Sequence, residues 1–214
     1  MANQKLSPAS SKMEEKRRRI LECSIALFAK KGYLNTPVRD IIDQSGFGTS
    51  TFYRYFSNKE DVLKTLLAEF LDQTITKVND YYTTEKSLYV RFIETKRVIM
   101  NSFAANEELS EIYSRVTGIS AGIDDCLKDF DNKFLTFTSK NIHYGIKRGI
   151  LRDLPVVPIA HSILGMIKYV VHKWVVLKEL SKQEMIEMVI SFHESLAIGL
   201  VIERDDFEKQ VKEG

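Results

Sequence analysis

The sequence of 214 residues predicts an all-α protein, and three observations support that prediction. Apolar residues recur at spacings of three and four along nearly the whole chain, as they do on one face of an α-helix. No segment shows the sustained alternation of apolar and polar residues that is typical of a half-buried strand. Helix-stop and helix-start signals separate the periodic segments, such as Gly32 after two lysines and the capping box from Ser181 to Glu184. We therefore expect strand content close to zero.

The periodic segments predict nine helices. We expect Thr36 to cap the second helix, with Pro37 at its first position, and Ser57 with Glu60 to form a capping box at the start of the fourth. The predicted helices are residues 13–31, 38–45, 49–56, about 58–77, about 87–104, 107–117, 122–148, 157–179 and 182–203.

The composition is that of a folded chain, with 44% hydrophobic and 28% charged residues. Two cysteines without CxxC spacing exclude a disulfide scaffold. The first twenty residues lack the apolar segment of a signal peptide, and no uncharged apolar run approaches the roughly 18–20 residues that span a bilayer. We expect a soluble chain, most simply cytoplasmic. Because no phosphate loop or dinucleotide fingerprint occurs, we expect no cofactor.

The charge is distributed unevenly along the chain. Residues 1–60 carry 11 Lys or Arg against 6 Asp or Glu, whereas residues 61–214 carry 20 against 23. A short basic segment followed by a mildly acidic remainder suggests a module that binds a polyanion, joined to a nearly neutral body. The alternative is the ordinary drift of charge between segments of this length.

Patterns that are typical of catalytic and metal sites are weak here. The segment GISAG around Ser120 matches the G-x-S-x-G nucleophile elbow, which needs a strand before the serine and a helix after it. With no strand predicted, Ser120 and His143 are not expected to form a catalytic pair. His161, His172 and His193 have no carboxylate or thiol placed with them, and a metal site needs three or four converging ligands. We predict neither an enzyme nor a metal site.

Two short helices, residues 38–45 and 49–56, flank a glycine-containing turn, as in a helix-turn-helix whose second helix enters the major groove of DNA. Phe52 and Phe56 lie one turn apart and are expected to face the interior. Arg54 can then reach guanine with two hydrogen bonds, and the neighbouring tyrosines and lysine suit phosphates. The residues expected on or beside this face are Thr49, Ser50, Tyr53, Arg54, Tyr55 and Lys59.

Three ordered motifs surround this segment within residues 14–65: IL-x-x-S-x-x-LF-x-x-x-GY, then T-x-V-x-D-I, then SGFGTSTFYRYFSNKEDVL. Together they resemble the DNA-binding domain of the tetracycline-repressor (TetR) family. The resemblance implies an N-terminal three-helix helix-turn-helix head and a C-terminal helical domain for ligand binding and dimerisation. On that basis we divide the chain into a mobile tail (residues 1–13), a DNA-binding head (14–58) and an effector-binding and dimerisation domain (59–214).

The resemblance also implies which residues contact DNA, with two departures from the family pattern. Phe47 and Gly48 stand where the family commonly has a small aliphatic residue and a serine, and Ser50 stands where glycine is frequent. The basic run from Lys16 to Arg19 either reaches phosphates or an adjacent minor groove, which we favour, or forms a solvated helix face. The predicted DNA-binding residues are Arg17, Arg18, Thr36, Arg39, Gly48, Thr49, Ser50, Tyr53, Arg54, Tyr55 and Lys59.

The last two predicted helices are apolar on nearly every side, which means that they must be covered on both sides. We predict a homodimer in which these helices pair across a two-fold axis as a four-helix bundle. The alternative for residues 163–177 is a central helix wholly inside one subunit.

Aromatic and apolar residues also follow a helical spacing along residues 122–148. Such a stripe by itself is usually core, and the resemblance to TetR proteins adds the interpretation that it lines a pocket for a small apolar or aromatic effector. The candidate lining residues are Phe92, Lys96, Met100, Phe134, Phe137, Tyr144, Met166, Tyr169 and Trp174.

These observations together predict a homodimeric one-component transcriptional regulator. Its partners would be double-stranded DNA with a pseudopalindromic operator and a small-molecule effector that releases a repressor. The alternative is a ligand-binding or adaptor protein with a degenerate helix-turn-helix.

Overall fold

The computed structural model describes residues 8–82, 88–149 and 151–200, and within these ranges the chain forms nine α-helices. Apart from one bridged residue, Leu151, these ranges contain no β-structure, so the all-α prediction is confirmed. None of the described helices is both long enough and apolar enough to cross a bilayer. The helices are α1 (Pro8–Lys31), α2 (Val38–Ser45), α3 (Thr49–Tyr55), α4 (Lys59–Tyr82), α5 (Leu88–Ala105), α6 (Glu107–Arg115), α7 (Ala121–Lys147), α8 (Val156–Val175) and α9 (Lys182–Leu200).

The chain divides into two compact units, one ending at Leu67 and the other beginning at Ala68, so the division falls inside α4. The sequence placed this boundary after residue 58, nine residues earlier. The difference arises because the first turns of α4 carry buried apolar residues, including Val62 and Leu63, that belong to the first unit. The start of a helix and the edge of a domain core are therefore different positions here.

Several predicted helix bounds differ from the observed ones, most of all at the start of α1 and at the ends of α4, which reaches Tyr82 instead of about residue 77, and α8. α1 begins at Pro8, so part of the predicted tail is helical, and residues 1–7 lie outside the described residues. α8 ends at Val175 instead of residue 179. Lys178 adopts a left-handed φ of 55°, which an α-helix cannot contain, and the chain therefore leaves the helix before this residue.

The core of the first unit joins α1, α2 and α3 through large apolar side chains. Ile20, Phe28, Ile41, Phe52 and Phe56 are all buried, and the rings of Phe52 and Phe56 lie 6.0 Å apart. The inward orientation predicted for both α3 phenylalanines is confirmed. Each fully buried phenylalanine contributes roughly 1.5–3 kcal/mol through the hydrophobic effect, so this small cluster supplies much of what holds the short helices in place.

The start of α2 is capped differently from the prediction. Pro37 occupies the N-cap position, and its side chain offers no hydrogen bond to the helix. Thr36 lies outside the helix and is fully buried, with its Oγ1 donating to the carbonyl oxygen of Gly32 at 2.8 Å. The predicted Thr36 cap is therefore wrong by one residue, because the hydroxyl satisfies the end of α1 instead of the start of α2.

The capping box at the start of α4 is also displaced by one residue. The Asp61 amide donates to Asn58 Oδ1 at 2.8 Å, and the Ser57 amide donates to Asp61 Oδ2 at 2.9 Å. Asn58 therefore caps the helix in place of the predicted Ser57.

The box at the start of α9 is confirmed. The Glu184 amide donates to Ser181 Oγ at 3.2 Å, and the Ser181 amide donates to Glu184 Oε2 at 2.7 Å. These hydrogen bonds stabilise the carboxylate and lower the pKa of Glu184.

In the second unit, α5 packs against α6 and α9, and α8 packs against α6, α7 and α9. Aromatic rings fill the interior: Phe70 lies 5.0 Å from Phe103 and 6.2 Å from Phe130, which in turn lies 4.9 Å from Tyr113. α8 is the most apolar of these helices and buries residues along its length, including Trp174.

A polar network crosses the same unit. Asp131 of α7 accepts a hydrogen bond from the Tyr113 hydroxyl of α6 at 2.8 Å and one from Lys168 Nζ of α8 at 2.7 Å. Burial and the neighbouring carboxylate raise the pKa of Tyr113, so its hydroxyl stays protonated and donates. One carboxylate therefore fixes three helices relative to one another, and charge-assisted bonds of this kind are stronger than neutral ones.

Candidate nucleic-acid interface and effector domain

α2 and α3 form a helix-turn-helix, and a glycine makes its turn possible. Gly46 follows α2 with a φ of 75°, in the left-handed region that side chains disfavour. The backbone amide of Gly46 donates to the carbonyl oxygen of Asp43 at 3.4 Å, which ends the helix. α3 then starts three residues after the turn glycine and runs for only seven residues.

α3 presents one face to solvent and one residue to the core. Phe52 has 0% of its surface exposed, whereas Tyr53 is 55% exposed. The remaining residues predicted for the outward face, Thr49, Ser50 and Arg54, are exposed as well. Small hydroxyl side chains thus stand at the first turn of the helix, with an arginine and a tyrosine one turn further along. This is the distribution that a recognition helix needs to approach base edges with its N-terminal end.

Gly48 occupies the N-cap position of α3, in an extended conformation that any residue adopts. A Cβ atom added here would meet nothing within 4 Å, so the head itself does not require glycine. The helix begins without a side-chain cap, and its first amides are available to an external acceptor such as a phosphate oxygen.

The predicted DNA-binding arginines of α1 and α2 belong to local ion pairs. Arg39 on α2 is exposed and lies 3.7 Å from Asp43, while Arg17 and Arg18 on α1 pair with glutamates of the same helix at 3.3 and 3.0 Å. Surface pairs of this kind contribute only about 0.3–0.5 kcal/mol. They would not prevent these guanidinium groups from turning to a phosphate.

Lys59 has a different environment from the other predicted DNA-binding residues. Its Nζ donates to the backbone carbonyl oxygens of Tyr33, Thr36 and Leu34 at 2.8, 3.1 and 3.2 Å, and lies 4.5 Å from the centre of the Tyr33 ring. All three protons of the ammonium group are thereby used. Partial burial lowers the pKa of Lys59. The geometry therefore gives Lys59 a structural role, tying the start of α4 to the loop before α2.

Thr36 in the same loop is fully buried, so its hydroxyl does not reach the surface on which α3 displays its side chains. Tyr55, at the end of α3, is half-buried. Neither environment can be deduced from the sequence, because both residues are the kind that contacts phosphates when exposed.

The predicted pocket residues do not all lie together. Met100, Phe134 and Trp174 are buried, and Lys96, Phe137 and Met166 retain part of their accessible surface. Tyr144 and Tyr169 are 52% and 61% exposed, and each lies beside a basic residue, Arg148 just after α7 and Lys173 on α8. These two tyrosines are therefore removed from the candidate lining. The side chain of Phe92 lies outside the described residues.

Burial lowers the pKa of two basic side chains in the second unit, one of them fully buried and the other partly so. His193 on α9 is fully buried, and its Nδ1 lies 2.7 Å from the carbonyl oxygen of Val189, which can only accept, so Nδ1 carries the proton. Burial, followed by the positive charge of Lys96, lowers the pKa of His193 to about 4. Burial likewise lowers the pKa of Lys96 on α5 to about 8. Sequence reasoning missed this pairing because the residues are far apart in the chain.

The residues that matched a catalytic motif in the sequence do not form a catalytic site. Ser120 is the N-cap of α7 and accepts a hydrogen bond from the Ile123 amide at 3.2 Å. His143 lies near the other end of the same helix, roughly 35 Å away at 1.5 Å per residue, so the two cannot form a catalytic pair. In the part of the chain that the structure describes, no cluster of three or more His, Cys, Asp or Glu residues could hold a metal ion.

In the helix-turn-helix, α3 is held by the buried Phe52 and turns its other side chains to solvent. This is the arrangement of helix-turn-helix DNA-binding proteins. Comparison with known proteins agrees: residues 20–66 match the model of bacterial regulatory proteins of the tetR family. A TetR-family regulator from Syntrophomonas wolfei is 58% identical, with a TM-score of 0.84 over 88% of this chain and 98% of that one. The protein therefore belongs to the TetR family of DNA-binding transcription regulators.

Two curated relatives match over shorter segments. The HTH-type transcriptional regulator YuxN of Bacillus subtilis is 27% identical over 60% of this chain and 50% of its own length. The HTH-type transcriptional repressor KstR2 of Mycobacterium tuberculosis is 34% identical over 33% of this chain and 36% of its own. The chain thus spans half or less of the length of these relatives.

The first prediction concerns the lysine that ties α4 to the loop. Lys59→Met removes three hydrogen bonds from a charged donor and leaves three carbonyl oxygens without it. We expect the free energy of unfolding, measured by urea titration, to fall by about 1–3 kcal/mol. Lys64→Met, at an exposed position of the same helix, is the control and should change it by less than about 0.5 kcal/mol. If Lys59→Met is as stable as the wild type, the structural role is contradicted and a direct contact of Lys59 with DNA is favoured.

The second prediction concerns the buried histidine. Because the pKa of His193 is lowered to about 4, the unfolded chain binds a proton at this residue between pH 6.5 and 4 and the folded chain does not. Stability attributable to His193 should therefore fall with decreasing pH in this window, by roughly 1.4 kcal/mol per pH unit. Unfolding curves of His193→Gln should lack this component, whereas those of His143→Gln, at an exposed site, should keep it. Parallel pH profiles for the wild type and His193→Gln would contradict the assignment.

Proposed function

We propose that the protein is a homodimeric one-component transcriptional regulator, a repressor that a small-molecule effector releases from its operator. The observation that carries the proposal is the way in which α3 divides its side chains between the core and the solvent. Phe52 is buried in the head, while Thr49, Ser50, Tyr53 and Arg54 are exposed on the opposite face. A helix that does not contact bases has no need for this set of exposed polar side chains. A recognition helix depends on such a set.

The roles of the individual residues follow from their reach. Arg54 is the side chain able to make a bidentate contact with guanine, and Thr49 with Ser50 permits close approach at the start of α3. Tyr53, Arg17, Arg18 and Arg39 supply phosphate contacts that fix register, together with Gly48, whose open surroundings allow the DNA backbone to approach. Thr36 and Lys59 support the loop between α1 and α2, and Tyr55 is half-buried at the end of α3.

Dimerisation through α8 and α9 is supported by an uncovered face of these helices. Val157, His161, Gly165 and Tyr169 follow each other at intervals of four residues along α8, and all are exposed. Exposed residues at such spacing form a ridge that can pack into the groove of another helix, and Val157 and Tyr169 give this ridge apolar surface. Met188 on α9 is exposed in the same unit. A second copy of the chain is the occupant that two-fold operators require.

Effector control requires that the ligand bind one of two states more tightly. α4 is the helix within which the two units divide, at Leu67, so a shift of its second half is carried covalently into the head. We propose that effector binding moves α4 and changes the separation of the two heads of a dimer. Operator affinity then falls because the half-sites no longer match.

The operator is the first thing to identify. Selection of binding sites from random duplex DNA should enrich a pseudopalindrome, and log K for the enriched site should fall steeply with log salt. Enrichment of no sequence by folded protein, both as purified and after unfolding, removal of any bound ligand and refolding, would favour the adaptor alternative.

On that operator, we expect Arg54→Ala to weaken binding by about 1–3 kcal/mol and to relax specificity at one base pair. The physical reason is the loss of two hydrogen bonds to a single guanine. Arg152→Ala, at an exposed site of the second unit, is the matched control and should bind like the wild type. A loss that is uniform over all sequences would assign Arg54 to the phosphate contacts instead.

The dimer face is tested by a pair of exposed tyrosines. Tyr169→Glu places a charge in the proposed interface, and sedimentation equilibrium should show monomers at concentrations where the wild type is dimeric. Tyr144→Glu, on α7 and similarly exposed at 52% against 61%, should remain dimeric. Dissociation of both variants, or of neither, would contradict a dimer interface on α8.

A further inference from the structure

Lys16 on α1 lies on the side of the helix that faces the turn of the helix-turn-helix. Ile20 and Ser24, which follow it at intervals of four residues and share its helix face, are both fully buried in the head. Lys16 itself is exposed, because α1 continues past the core of the head toward its N-terminus. The Cys23 Sγ, on the same side of α1, donates to the carbonyl oxygen of Gln44 near the end of α2 at 3.6 Å. This side of α1 therefore passes along the end of α2 and the turn that follows it.

The ammonium group of Lys16 lies over an aromatic ring of that turn. Its Nζ is 5.9 Å from the centre of the Phe47 ring, within the distance of about 6 Å at which a cation and a ring attract each other. Phe47 is half-buried, and its backbone amide donates to Ser45 Oγ at 3.4 Å. At a solvent-exposed site such an attraction favours one position of the cation by about two- to five-fold. The ring thus holds the lysine preferentially beside the turn.

The turn leads directly into the exposed start of α3. Thr49 and Ser50, the first two residues of α3, are exposed, as are the glycines on either side of Phe47. A recognition helix approaches the bases with its N-terminal residues, so the residues just before it lie beside the phosphates that border the groove. Lysine is one of the side chains that bind phosphate oxygens. A lysine at this turn is therefore placed where a helix-turn-helix meets the DNA backbone.

We propose that Lys16 binds a DNA phosphate beside each half-site and that Phe47 is the residue that positions its ammonium group for this contact. The inference rests on the proposed function and adds two residues to its DNA-binding surface. Phe47 acts through Lys16, since a phenylalanine ring offers no hydrogen bond to a phosphate oxygen. A lysine that is already held beside the turn loses less side-chain freedom when DNA binds, and the contact is stronger for that reason.

Salt titration of the full-length protein on its selected operator tests the contact of Lys16. Each phosphate that a protein neutralises adds about 0.9 to the steepness of log K against log salt, so Lys16→Met should reduce it by about 1.8 for a dimer with two heads. Lys64→Met removes the same charge from an exposed position of α4 in the same unit and should keep the wild-type slope. Because a phosphate contact does not depend on sequence, the same comparison is made on a random-sequence duplex.

A double-mutant cycle tests the role of Phe47. Phe47→Leu keeps an apolar side chain but removes the ring, and it should weaken operator binding by about two- to five-fold for each head. In the Lys16→Met background the same substitution should have no effect, because the residue that Phe47 positions is absent. Phe47→Tyr keeps the aromatic face and should bind like the wild type. Circular dichroism checks that each variant is folded at the temperature of the assay.

The outcomes separate this inference from the proposed function. A wild-type slope for Lys16→Met, or equal losses for Phe47→Leu with and without Lys16, would overturn the inference alone when the wild type selects an operator. A reduced slope on the random duplex without any selected operator supports the contact and counts against the proposed function. No binding to either duplex overturns both. Should Phe47→Leu not fold, Phe47→Met provides the same comparison.

Discussion

Burial of Phe52 is the interaction on which DNA recognition in this protein depends. A helix of seven residues, as α3 is, does not persist by itself in water, because nucleation costs more than a few hydrogen bonds return. α3 also lacks a side-chain cap at Gly48. Its conformation is therefore maintained by tertiary packing, with Phe52 and Phe56 inserted against the side chains of α1 and α2. The outward residues are positioned only as well as these rings are held.

The loop before α2 is constrained by polar contacts that serve the same purpose. Lys59 joins three backbone carbonyl oxygens of this loop to the first turn of α4. The Thr36 hydroxyl joins the loop to the end of α1. The carbonyl oxygens involved would otherwise have to find water or remain unsatisfied. A lysine and a threonine that resemble DNA contacts in the sequence thus stabilise the loop that precedes the helix-turn-helix.

The limits of the sequence analysis follow from what periodicity encodes. Helical spacing predicted the order and type of all nine described helices, because each buries one face for which the pattern is visible. It did not predict that Tyr144 and Tyr169 are exposed. Tyr144 lies at the end of its stripe, where helical spacing no longer ensures burial, and Tyr169 lies on a helix whose apolar residues do not reveal which side faces the subunit's own core. Caps were displaced by one residue at Thr36 and Ser57, because a hydroxyl or amide there can bond to either neighbouring segment.

The environment of His193 in the second unit could not be predicted for a different reason. Lys96 and His193 lie on helices that are far apart in the sequence, and the packing of α5 against α9 brings the charge of Lys96 to bear on the imidazole. Burial and this charge both lower the pKa of His193. Helical periodicity shows which residues share a face of one helix, but it does not show which helix covers that face. A titratable group whose pKa depends on a distant helix is therefore beyond the reach of the sequence pattern.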